Sequence, residues 1–144
     1  MKTLLRNCLA VIVGLIAGSC VNMALVVTGP QVFPPPAGVN MADTASLGAS
    51  IHLLEPRHFL FPFLAHALGT LTGALVAHVI ASSRRTMFGF IIGALFLVGG
   101  ISAAFMIPAP GWFIALDLVM AYLPMAWIGI CLGRRFRAES RAGA

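Results

Sequence analysis

Three polar side chains, Asn22, His66 and Asp117, lie inside stretches that are otherwise apolar. An ionisable group in such a stretch is costly to bury and is a functional candidate by default. Counted from the outer end of its stretch, Asp117 lies about five residues in, His66 about eight and Asn22 about seven. At helical rise these are depths of roughly 8, 12 and 10 Å. His66 shares a helical face with Gly69, Thr70 and Gly73, so it is expected to point into a bundle rather than at lipid. A buried carboxylate needs a charged or hydrogen-bonding partner, and His66 or Asn22 is the obvious one for Asp117. Such a cluster has four readings: a structural clasp that fixes helix register, a proton- or ion-handling site, a catalytic Asp–His pair, or an Asp117 that simply reaches the headgroups. The clasp is favoured and the proton- or ion-handling site comes next, while a catalytic pair is disfavoured because no nucleophile is evident beside it. No catalytic residue is therefore assigned, and the reading leans away from an enzyme.

A second polar group is His52, Glu55, Arg57 and His58. Two imidazoles and a carboxylate within seven residues are ligands that zinc or copper accepts. Against a metal, Pro56 breaks the helix that would align them, and Arg57 opposes a cation. Cys8, Cys20 and Cys131 fit no CxxC or zinc spacing and read as small buried hydrophobes. His78, close to Arg84 and Arg85, is expected to snorkel toward headgroups. No GxSxG, HExxH, phosphate-cradling glycine loop or CxxCH is present, so no cofactor is expected.

The elements that position these residues follow from composition. The chain is 60% hydrophobic and 9% charged, with a mean hydropathy of +0.99. Soluble domains carry about 25% charged residues, so a water-soluble fold is excluded. Apolar runs near 7–29, 59–82, 86–107 and 112–133 each approach the ~20 residues a span requires. The fold expected is an all-α, four-transmembrane-helix bundle forming one membrane domain over 1–144. The opening Met1–Arg6 and Cys8–Val27 also resemble a signal peptide, with a poor lipoprotein-like box at Ala17–Cys20. The apolar run outlasts a signal core of about 7–15 residues, so a retained span is preferred.

Of the nine Lys and Arg, only Arg57 falls outside the N-terminus, the 83–86 turn and the tail after 133. That bias places both termini in the cytoplasm, with a short basic tail at 134–144. It also explains the net charge of +5 without nucleic acid, since basic residues there meet anionic lipid. A bacterial cytoplasmic membrane is the expected location. Loop 30–58 then faces the outside. Pro34, Pro35 and Pro36 favour extended chain there. Asp43 is placed to cap a short amphipathic helix in which Leu47, Ile51 and Leu54 share a face. The first span is expected to end at Thr28–Pro30, and Pro124 to kink the fourth by removing a bond to the Met120 carbonyl.

Small residues recur on single faces: Gly14 and Gly18 in the first span, Gly69 and Gly73 in the second, Gly89 and Gly93 in the third. In lipid, such faces mark close helix packing. They suit a tight bundle, a homo-oligomer or a membrane protein partner. The functional expectation is a non-enzymatic subunit or accessory of a membrane assembly. An oligomeric small transporter or channel using the Asp/His site is the alternative, and an intramembrane enzyme the next.

Overall fold

The computed structural model describes residues 1–40 and 43–142, with side chains described through 136 and at 138. The tail residues Arg137 and Arg141 therefore have side chains outside the described set. Six α-helices follow in order: α1 Lys2–Val32, α2 Thr44–Ser50, α3 Leu60–Ile80, α4 Arg85–Met106, α5 Gly111–Met120 and α6 Leu123–Ala142. Two short 3₁₀ turns, Ile51–Leu53 and Pro56–Phe59, lead from α2 into α3. No strand occurs among the described residues. Among the described residues four helical segments are long and apolar enough to cross a membrane: Lys2–Val32, Pro56–Ile80, Arg85–Met106 and Gly111–Phe136.

The packing is inverted relative to a water-soluble domain. Most residues buried to completion are small: Ala10, Ala65, Ala74, Ala77, Ala81, Ala121 and Ala126. Large apolar side chains such as Ile16, Val98, Phe105, Val119 and Trp127 point outward. Lipid gives no hydrophobic incentive to hide them, whereas small residues let backbones approach. That pattern fits a membrane protein.

Helix α3 is the central element. On one side it meets α1 almost backbone to backbone. A Cβ added at Gly14 would stand 2.8 Å from the Gly73 carbonyl oxygen, and one at Gly18 would stand 2.6 Å from that of Gly69. On the other side α3 receives α6, whose Gly129 faces the Leu71 carbonyl. Helix α4 closes the bundle, with Gly89 against Ile130 and Gly93 against Ala126 of α6.

One end of the bundle gathers the basic residues. The Arg6 Nε donates to the Ile80 carbonyl at 2.7 Å, and the Arg85 Nε donates to that of Ala81 at 2.7 Å. Those carbonyls end α3 and lack helical donors, and a cation there suits the helix dipole. Arg134 reaches Thr86 from α6. Asn7, a residue the sequence reading did not single out, completes the clasp. Its Oδ1 accepts from the Ser82 amide at 3.0 Å and its Nδ2 donates to Ser83 Oγ at 2.9 Å.

Several local expectations need correction. Helix α1 continues past Pro30 to Val32 and is closed by the Phe33 amide on the Gly29 carbonyl. The missing proline amide removes one bond near the helix end, too little to stop it before Pro34–Pro36. The fourth span does not merely kink. It breaks at Ala121–Tyr122 and restarts at Leu123, with Pro124 in the first turn of α6, where proline is tolerated. Cys8 and Cys20 are exposed rather than buried, because α1 turns its Asn7, Ala10, Gly14, Gly18 and Gly29 positions into the bundle. His78 does not snorkel: it is buried against the Gly133 backbone position. In the loop, Asp43 accepts from the Ser46 amide at 2.7 Å and starts α2.

Candidate functional site

Helices α3 and α5 bring His66 and Asp117 together in the half of the bundle away from the basic end. His66 Nδ1 lies 2.9 Å from each carboxylate oxygen of Asp117. A carboxylate only accepts, so Nδ1 carries the hydrogen and donates in a forked bond. The Tyr122 hydroxyl donates to Oδ2 of the same carboxylate at 2.9 Å. The Tyr122 ring also stacks on the His66 imidazole, with centroids 5.7 Å apart. Asp117 is 4% exposed and Tyr122 1% exposed, so this carboxylate is satisfied by two side-chain donors in place of water.

Tyr122 is the partner that sequence reasoning missed. In an unbroken helix, five residues leave it about 140° around the axis from Asp117. The break at Ala121–Tyr122 removes that separation. Two signals were available: it is the single tyrosine of the chain, and it sits two residues before Pro124. Gly100 on α4 supplies its room, since a Cβ there would overlap the Tyr122 hydroxyl and ring.

Asn22 stands elsewhere. Its Cα and Cβ pack over Gly69 at the α1–α3 seam, and among the described residues no hydrogen bond joins it to Asp117 or His66. Matching depth does not bring it to the carboxylate: Asn22 is taken up by the α1–α3 contact at Gly69.

With Nδ1 committed to Asp117, the His66 Nε2 remains without a partner among the described residues. His66 and Asp117 both line a cavity of about 460 Å³. That volume is within the roughly 300–1,000 Å³ of typical small-molecule sites. Its walls are mostly apolar. Helix α1 contributes Val26, Val27 and Pro30, α4 contributes Ala103, Ala104 and Ile107, and α5 contributes Phe113, Ile114 and Leu118. Leu47, Ile51 and Leu54 roof it from the 44–54 segment.

No protein-family model, curated protein or solved structure matches this chain. The site must be read from its own chemistry.

The 52–58 group does not converge on a metal position. His58 is 4% exposed, and both its ring nitrogens are engaged by backbone. Nδ1 accepts from the Glu55 amide at 3.0 Å, which leaves Nε2 to donate to the Pro34 carbonyl at 3.2 Å. His58 thereby ties the proline-rich segment to the start of α3. His52 and Glu55 are exposed, and Glu55 pairs with Arg57 at 3.1 Å. Among the described residues no group of three His, Cys, Asp or Glu side chains is placed to hold a metal ion. The packing glycines Gly14, Gly18, Gly69, Gly73, Gly89 and Gly93 all lie at helix contacts.

Proposed function

We propose that this chain is a four-span membrane protein that holds a mainly apolar small molecule in the half of the bundle away from its basic end. It acts as a non-enzymatic binding component of a membrane assembly. Both termini are in the cytoplasm, in keeping with the basic bias, and a bacterial cytoplasmic membrane suits that bias. The 44–54 segment then lies over the bundle on the outer side.

The observation that carries this reading is the apolar cavity of about 460 Å³ lined in part by His66, whose Nε2 has no partner among the described residues. An apolar pocket with a few convergent polar groups is the usual form of a small-molecule site. A pore is less well supported. Between the cavity and the basic end, Ala74, Ala77, Ile92 and Ala126 are all fully buried and packed together. An enzyme is less well supported too, because among the described residues the Asp117 side-chain network contains only His66 and Tyr122.

Native mass spectrometry from mild detergent tests the reading. The unmodified protein retains a bound small molecule, and Ala103→Trp, which fills the cavity, loses it at unchanged fold. A clean apo mass for the unmodified protein extracted under the mildest conditions contradicts it. For the threading, a reporter active only in the cytoplasm gives signal when fused after residue 144. A silent but stably expressed fusion contradicts that topology.

A further inference from the structure

We propose that the cavity is loaded sideways from the bilayer by a long-chain alcohol, through the gap between α1 and α4. The hydroxyl docks on His66, and the tail lies along the gap. This rests on the binding reading above and names its ligand class and route.

The route follows from where α1 and α4 touch. Nearer the basic end they are in contact, with Gly14 facing Ile92 and Gly18 facing Phe96. Farther along, the cavity lies between them, with Val26 and Val27 on one side and Ala103 and Ala104 on the other. Among the described residues lining the cavity, Val26 and Val27 alone are exposed, at 42% and 56%. The roof is more closed. His58 holds Pro34 against the start of α3, and α2 rests on the next connection, where a Cβ at Gly48 would stand 3.5 Å from Pro108. The flank that opens therefore faces the membrane rather than water.

The head group follows from the inner end. Among the described residues no Lys or Arg lines the cavity, so a phosphate or carboxylate head finds no fixed basic side chain there. A charged head would also have to pass valine and alanine walls that desolvate it. A hydroxyl is uncharged and both donates and accepts. Its O–H can donate to the His66 Nε2, the nitrogen left over by the Asp117 bond. The apolar lining of Val26, Val27, Ala103 and Ala104 then takes a single chain.

The test uses three probes of equal length, each with a diazirine in its tail: a long-chain alcohol, an alkane and a fatty acid. Each is photolysed with the full-length protein in nanodiscs, and labelled peptides are located by mass spectrometry. The alcohol is expected to label the 26–27 and 103–107 positions about tenfold more than either other probe, a difference of about 1.4 kcal/mol. Ala104→Trp should suppress that labelling and Ala49→Trp, at an exposed position of α2 outside the cavity lining, should leave it, each variant first checked for an unchanged thermal transition. If Ala104→Trp does not fold, Val27→Trp blocks the facing wall. Equal labelling by alkane and alcohol overturns the hydroxyl site while the binding reading stands. Equal labelling by the fatty acid overturns the uncharged head. Suppression by Ala49→Trp in place of the portal variant overturns the lateral route. No labelling of the cavity by any probe, the alkane included, removes the binding reading itself.

Discussion

The two halves of this bundle solve different problems with the same helices. Toward the basic end, α1, α3, α4 and α6 close on one another through glycine and alanine, and Asn7, Arg6 and Arg85 satisfy the exposed end of α3. Toward the other end the glycines meet aromatic rings in place of backbone, Gly29 against Phe61 and Gly100 against Tyr122. The helices separate around an apolar cavity, and a buried carboxylate takes one partner from α3 and one from the break that follows α5. The contrast teaches where rigidity and function are divided. The close-packed half fixes the helix positions, so the open half can keep a cavity that would otherwise collapse. Interiors normally pack at crystal-like density with few voids.

That division can be broken from the closed side first. Gly18→Leu drives a side chain into the Gly69 carbonyl and Phe96. It is expected to cost at the upper end of the about 1–3 kcal/mol typical of overpacking, or to prevent folding. Thermal unfolding in detergent measures it, with Leu68→Ala on an exposed position as the mild control. An unchanged transition for Gly18→Leu would show that α1 does not sit on α3 as described.

The next largest effect is at the carboxylate. Asp117→Leu leaves the Tyr122 hydroxyl and His66 Nδ1 buried without their acceptor, costing about 1–3 kcal/mol. Asp117→Asn retains an acceptor oxygen for Tyr122, and its amide can donate to a His66 that has moved its hydrogen to Nε2. It should stay close to the parent stability. Equal loss in both variants, measured by the same unfolding transition, would show that volume rather than hydrogen bonding holds this region. Smaller still, Tyr122→Phe removes one of the two donors and should cost about 0.5–1.5 kcal/mol. Ala104→Leu, which grows into the cavity, should stay within about 0.5 kcal/mol. A cost for Ala104→Leu matching that of Gly18→Leu would erase the difference between the halves.

The sequence made parts of this legible and hid others for physical reasons. The apolar runs reveal four helices because a bilayer-length stretch needs only composition and length. Shared depth drew attention to His66 and Asp117, since a carboxylate in an apolar helix requires a partner from somewhere. Depth says nothing about direction, and Asn22 at similar height belongs to the α1–α3 seam. Tyr122 was hidden by the assumption of a continuous helix, which the break before Pro124 voids. The cavity was also illegible, because a void is set by where helices part. His58 looked like a ligand beside His52 and Glu55, yet its nitrogens serve backbone groups up to 24 residues away.

The most direct measurement is an experimental structure of the full-length protein in nanodiscs made with its native lipids. It is predicted to show the two halves as described: fully buried Ile92 and Ala126 toward the basic end, and elongated density between α1 and α4 ending within hydrogen-bond distance of the His66 Nε2. A structure in which Val26 and Val27 pack directly on Ala103 and Ala104, leaving no cavity beside an intact His66–Asp117 pair, would contradict the account.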